Sequence, residues 1–161
     1  MQQQSKFPFR GQGQLVWILK EFSELNTAEL YAILQLRNEV FVVEQNCPYQ
    51  DADNKEQKSL HFMGWDKNAL AAYTRIIPQG ISYTEASIGR VVTSPGYRGT
   101  GAGKELMRRS IEHTYNSFNC SQIKIGAQVY LRSFYEGLGF VQCSEQYLED
   151  NIPHIEMLLT K

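Results

Sequence analysis

Three glycines at alternate positions, set between an apolar run and a helix-like segment, restrict this chain more than any other feature. They lie in "SIGRVVTSPGYRGTGAGKELMRRSIE", residues 87–112. The segment reads as a β-strand, a glycine-rich turn and a helix entered at Lys104. Glycine lets a turn take backbone conformations closed to other residues, so that consecutive N–H groups can line a concavity. The helix N-terminus that follows adds the positive end of its dipole. This combination predicts a site for an anion, typically a phosphate.

Spacing separates the phosphate-binding patterns. A P-loop needs G-x-x-x-x-G-K followed by Ser or Thr. If Gly103 and Lys104 ended it, the first glycine would fall on Arg98 and the magnesium-holding hydroxyl on Glu105. A dinucleotide fingerprint needs G-x-G-x-x-G and an acidic residue at the end of the next strand. Here Gly99, Gly101 and Gly103 run G-x-G-x-G, and the next strand, "SQIKIGAQ", ends on Gln128 without a carboxylate. The segment from Arg98 through Gly99, Thr100, Gly101 and Ala102 to Gly103 instead fits R/Q-x-x-G-x-G/A. A plain strand-to-helix turn would need one glycine, not three beside an arginine.

The remaining chain reads as one mixed α/β domain spanning residues 1–161. Residues 15–22, "LVWILKEF", form a first strand. "NTAELYAILQLRNEVF" is a helix capped by Asn26, with Glu29 completing a capping box. Leu30, Ile33, Leu34, Arg37 and Phe41 share one face, so Arg37 stands on an apolar side and is expected to point into a pocket. A long polar loop follows, then a hairpin from "SLHFMGW" and "ALAAYTRII". After the glycine turn, Met107, Ile111, Tyr115 and Phe118 mark a buried helical face. Glu105 and Arg109 form an outward pair, and His113 is expected on the solvated side. The tail supplies a strand, a short helix stopped by Gly137 and Gly139, and a closing strand, "HIEMLLT".

Composition excludes several function classes. With 16 basic and 17 acidic residues and a net charge of −1, the chain lacks the basic surface that nucleic acid demands. Its three cysteines, Cys47, Cys120 and Cys143, form no C-x-x-C pair and fit a reduced, cytoplasmic protein. His61, His113 and His154 lie far apart in sequence, so no metal is expected. The polar opening "MQQQSKFPFRGQGQ" has no signal-peptide core, and residues 1–13 are expected to be a loose arm. No apolar run is long enough for a membrane span.

The glycine turn with its surroundings resembles the GNAT superfamily of acyl-CoA-dependent N-acetyltransferases. "GRVVTSP" is similar to that superfamily's pantetheine-binding strand, and "SFYEGLGF" to its later aromatic helix ending in G-F. "LRNEVFVVEQNCPYQDADNKE" and "YLEDNIPHIEML" resemble the ElaA-like branch. The resemblance implies a twisted, mostly antiparallel central sheet, splayed between its two central strands and flanked by helices. It implies acetyl-CoA as co-substrate and no metal. Val91, Val92 and Thr93 would meet the pantetheine arm with backbone groups. Arg98, Gly99, Thr100, Gly101, Ala102, Gly103 and Lys104 would hold the pyrophosphate. Gln128 stands where the family carries an asparagine that bonds the cofactor.

By the same resemblance, Tyr135, four residues before the glycine of G-F, is the general acid for the leaving thiolate. A backbone N–H on residues 91–93 would stabilise the oxyanion. For the general base, "SIGRVVTS" offers no carboxylate; His154 is favoured over Glu44 and His61, and a water relay is the alternative. Arg37, Phe41, Glu44, Tyr49 and Asp51 are the expected acceptor side, suited to a cationic amine. Asp51 and Asp53 read equally well as solvated turn residues. Related domains pair through a sheet edge or the C-terminal strand, which makes a homodimer compatible with the sequence. The competing reading is a non-catalytic acyl-CoA sensor or partner-binding module; Tyr135 favours the enzyme.

Overall fold

The computed structural model describes residues 13–161, so the loose arm expected over residues 1–13 falls outside the described residues except for Gly13. Strand β1 (Val16–Glu21) leads through a 3-10 turn into helix α1 (Thr27–Arg37). The helix starts at the expected capping box. Asn26 Oδ1 accepts from the Glu29 amide at 2.8 Å, and Glu29 Oε2 accepts from the Asn26 amide at 3.0 Å. The chain then widens into π-helix over Asn38–Glu44, with the Gln45 amide bonded to the Val40 carbonyl and the Cys47 amide to that of Val42.

Strands β2 (Leu60–Asp66) and β3 (Ala69–Ile77) form the expected hairpin, and β4 (Ser87–Thr93) joins it to complete an antiparallel sheet of order β1-β2-β3-β4. Successive β2 side chains face opposite layers. Met63 packs under α1 with Ile33, Leu36, Val40, Tyr73 and Val92. Phe62 packs with Ala72, Ile76 and Leu106, the last on helix α2 (Ala102–Phe118). Covered on both faces, β2 buries successive residues from His61 to Gly64. His113 does not sit on the solvated side of α2 as expected: its ring lies 4.8 Å from that of Phe62 and is half-buried.

A second sheet continues the layer. Strands β5 (Gln122–Gln128) and β6 (Val141–Gln142) flank β8 (Ile152–Thr160), and β7 (Tyr147–Glu149) makes a tight hairpin with the start of β8. Helix α3 (Arg132–Glu136) packs Tyr135 and Phe134 into a cluster with Met107, Ile123, Ile125, Phe140, Ile155 and Met157. Among the described residues, the two sheets are joined by a backbone bridge between Ala86 and Ile123, with the Lys124 amide donating to the Ala86 carbonyl at 2.9 Å. Beyond that point β4 and β5 diverge. This is the antiparallel sheet split between its two central strands that the resemblance implied. Among the described residues, no helix is long and apolar enough to cross a membrane.

A buried ionic cluster ties the long loop, residues 45–59, to the first sheet. Arg37 is fully buried. Its Nε donates to Asp51 at 2.8 Å, Nη1 to Glu56 at 2.7 Å, and Nη2 to the Asp51 carbonyl at 2.9 Å. Arg75 grips Asp53 with two nitrogens, at 2.6 and 3.0 Å, and also pairs with Glu56. Beneath it lies His61, with no exposed surface, bonded to Tyr73 Oη at 2.8 Å and to the Glu56 carbonyl at 2.9 Å. Because a carbonyl only accepts, Nε2 carries the hydrogen and Nδ1 accepts from Tyr73.

This cluster makes the fold acid-labile in two stages. Burial pushes the His61 imidazole below its ordinary 6.5, and burial does the same to His113. Their contribution is complete above the unfolded value and erodes as pH falls through 6.5, because the unfolded chain takes up protons first. Burial alone would raise Asp53, but the Arg75 bonds and charge, helped by Arg90 and Lys55, hold it at about 2. Glu56 is likewise held below 4.5 by Arg37 and Arg75 against the effect of burial. Their stabilisation is present above the unfolded carboxylate values and is lost as pH falls below them, that of Asp53 persisting until pH nears 2. Melting temperature should therefore decline below pH 6.5, and more steeply below 4.5. Thermal unfolding followed from about pH 8 to about pH 3 checks this, and a flat profile down to 4.5 would contradict it.

Candidate active site

The divergence of β4 from β5 opens a cleft of about 1060 Å³. Its walls are β4 from Ser87 to Thr93, the end of β5 at Gly126, Ala127 and Gln128, and Tyr135 from α3. The π-helical extension of α1 supplies Phe41 and Glu44, and the 45–59 loop supplies Tyr49. The extra residue in a π turn re-aims the side chains that follow it, which carries Glu44 over to the glycine turn. There its carboxylate pairs with Arg98 at 2.7 Å, both side chains being partly solvated.

At one end of the cleft, Gly99 and Gly101 take φ of +75° and +87°, a region open to glycine and strained for other residues. Apart from the adjoining backbone, no atom lies within 4 Å of where either would carry a Cβ. The turn is thus an open cradle. Gly103 is close-packed instead: a Cβ there would stand 3.3 Å from Thr93 Oγ1, where α2 enters close against the end of β4. The first helical bond runs from the Glu105 amide to the Gly101 carbonyl. The amides before Glu105 therefore have no acceptor within the helix and face the cradle end of a 17-residue dipole. Arg98, Gly99 and Gly103 line the cleft; Thr100, Gly101, Ala102 and Lys104 complete the turn and first helical residues around it.

Tyr135 lines the cleft, 5 % exposed, with its ring edge-on to Phe134 and Phe140 at 5.1 and 5.9 Å. Burial pushes its phenol well above the usual value, and Tyr130 adds to the shift, so the hydroxyl stays protonated. Gln128, the last residue of β5, donates across the cleft to Gln45 Oε1 at 3.2 Å. Cys47 Sγ makes a second crossing to the Asp150 carbonyl at 3.8 Å. These two contacts bridge the cleft from the loop to the second sheet.

His154 lies opposite Gln128 in the β5–β8 register and lines the cleft. Its Nδ1 donates to the Ile152 carbonyl at 2.7 Å, which in the neutral ring leaves Nε2 as the basic nitrogen. Nε2 lies 3.4 Å from Glu149. Of the other base candidates, Glu44 is engaged with Arg98, and His61 is sealed in the core with both nitrogens bonded.

Arg37 departs from expectation. It stands on the α1 face as read, but its guanidinium turns into the buried cluster and does not reach the cleft, because Asp51 and Glu56 satisfy it there. Asp51 and Asp53 are neither solvated turn residues nor unengaged carboxylates; both are held by arginines. Among the described residues, no three His, Cys, Asp or Glu side chains come together as a metal site. The residue that sequence reasoning passed over is Arg90. It lines the cleft in the middle of β4 with φ of +51°. Across β3, Tyr73 faces Val92 and Arg75 faces Gly89, so Arg90 and Val91 together oppose Thr74 alone. That is a β-bulge in the strand expected to supply backbone groups. An arginine at such a position carries no local signal.

Comparison with known proteins agrees with this architecture. The "Acetyltransferase (GNAT) domain" family matches residues 21–161. Protein ElaA of Escherichia coli is 42% identical over 143 residues, 88% of this chain and 94% of the relative. The crystal structure of an acyl-CoA N-acyltransferase from Pseudomonas aeruginosa superposes with a TM-score of 0.87 at 41% identity, covering 91% of this chain and 99% of that one. The crystal structure of E. coli ElaA does so at 0.85 and 40%, covering 90% and 99%. A split antiparallel sheet, a glycine cradle at the mouth of the split and this breadth of identity have one common meaning: the chain belongs to the GNAT acetyltransferase family, whose chemistry is acyl transfer from acyl-CoA.

Proposed function

We propose that this protein transfers the acetyl group of acetyl-CoA to a primary amine, of a small molecule or a peptide, by direct attack in a ternary complex. The observation that carries the reading is the glycine cradle opening into a cleft with a buried, protonated tyrosine on its wall. A thioester is already activated, so the protein has to orient it, stabilise the oxyanion and move two protons.

In this reading, amides of the turn and of the first α2 residues hold the pyrophosphate, with Arg98 and Lys104 adding charge. Arg98 would exchange Glu44 for a phosphate oxygen. Backbone groups of Val91, Val92 and Thr93 align the pantetheine arm, and an N–H beside the bulge faces the developing oxyanion. Gln128 would release Gln45 to bond the arm. Tyr135 donates its proton to the leaving sulfur. His154 accepts the amine proton on Nε2, with Glu149 placed to stabilise the resulting imidazolium. Phe41, Tyr49 and Glu44 form the acceptor side, and the partner is an amine rather than a nucleic acid or a membrane.

Gly101→Val tests the cradle. A β-branched residue at φ +87° is strained and fills the space a phosphate would occupy. Calorimetric titration with CoA should show at least a tenfold loss of affinity. Unchanged affinity in a folded variant would mean that the pyrophosphate lies elsewhere.

A further inference from the structure

Seven non-glycine residues among those described have positive φ, and six of them sit in turns, loops or a helix end. Four are asparagines and one is an aspartate, the residue types that tolerate this region; Lys67 lies in the two-residue turn between β2 and β3. The seventh, Arg90, is inside a strand, where a bulge of this kind normally carries glycine. Something outside the strand must therefore hold Arg90 there.

The holding groups come from the 45–59 loop. Arg90 Nε lies 2.8 Å from Asp51 Oδ1, and Nη2 donates to the Asp51 carbonyl at 3.0 Å. Nη2 also approaches Asp53 Oδ2 at 3.4 Å, and the guanidinium stands 5.7 Å over the Tyr49 ring. These groups are themselves fixed. Asp51 is bonded by Arg37 and by Tyr49 Oη at 2.7 Å, and Asp53 is gripped by Arg75. The guanidinium of Arg90 thus docks into a part-buried frame of paired groups, while its backbone forms the bulge in β4 opposite Thr74.

We propose that Asp51, Asp53 and Tyr49 act as a clamp on Arg90, holding β4 in its bulged form and so setting the position of the backbone groups beside Val91. Arg90 is a positioning residue here: its side chain works through its own backbone. The catalytic part of this inference rests on the transferase reading above; the backbone part does not.

Two substitutions remove the same side chain and differ in the backbone they permit. Glycine adopts φ +51° freely and needs no clamp, whereas alanine without the clamp relaxes toward extended β. Arg90→Gly should keep kcat within about threefold of wild type, while Arg90→Ala loses about tenfold or more in kcat with a smaller change in KM for acetyl-CoA. Arg90→Gly should also melt roughly 3 °C above Arg90→Ala, the reverse of the usual order for strand positions. Asp53→Asn should lower kcat in the wild-type background and leave it nearly unchanged in the Arg90→Gly background, because the clamp is then redundant.

Equal kcat for the glycine and alanine variants, or a higher melting temperature for alanine, would overturn the clamp. A wild type that releases no CoA thiol with any amine, while glycine still melts above alanine, would overturn the catalytic half and uphold the backbone half.

Discussion

Tyr135→Phe should reduce kcat for amine-dependent thiol release by roughly 10²- to 10⁴-fold, the usual worth of a placed general acid, while leaving CoA affinity nearly unchanged. The substitution deletes one oxygen and nothing else. Phe retains the edge-on contacts with Phe134 and Phe140 that hold the ring in the cluster between α3 and β8. Burial keeps the phenol protonated through the neutral range, so its O–H is in place to hydrogen-bond the sulfur as negative charge develops there. Kinetics at saturating acetyl-CoA with a parallel CoA titration separates the two roles. If Tyr135 were only a packing residue, kcat and the melting temperature would both hold, because Phe keeps those contacts.

Arg37→Leu is expected to be the most destabilising of the changes considered. Arg37 places three directed bonds on Asp51 and Glu56, and its removal leaves buried carboxylates short of their cation. Breaking one member of a buried ionic cluster costs about 3–5 kcal/mol. For a chain of this size that corresponds to a fall of roughly 10 °C in melting temperature. Arg37→Lys should recover only part of it, since one ammonium cannot reproduce a fork that reaches two carboxylates and a carbonyl. The lysine variant, where folded, should keep its KM for the amine, as Arg37 does not reach the cleft. A raised KM without loss of stability would return Arg37 to the acceptor side.

Much of the frame was legible in the sequence because the signals were local. A cap and its capping box, a two-residue hairpin turn, and glycines at fixed offsets from a helix start each act over a few residues. The glycine cradle belongs to this class, and so does the G-F stop that locates Tyr135. What stayed hidden depends on residues far apart in sequence. The apolar face of α1 correctly held Arg37, yet only the fold brings Asp51 and Glu56 to it. Without that pairing, a pocket was the natural expectation for an arginine on an apolar face. "DADNKE" looks like a solvated turn until Arg37, Arg75 and Arg90 are seen around it. His113 read as solvated because one turn of spacing does not reveal that Phe62 lies beneath it. The π-helical widening of α1 and the bulge at Arg90 break the regular periods on which such reading relies. Both border the cleft, where regular structure most often gives way to function.

The measurement that bears most directly on the whole account is CoA thiol release from acetyl-CoA over a panel of primary amines, including polyamines, amino sugars and lysine peptides. The account predicts release that requires both the protein and an amine, and that nearly vanishes in Tyr135→Phe. Firm acetyl-CoA binding with no amine-dependent release across the panel would contradict it and favour an acyl-CoA-binding protein that performs no transfer.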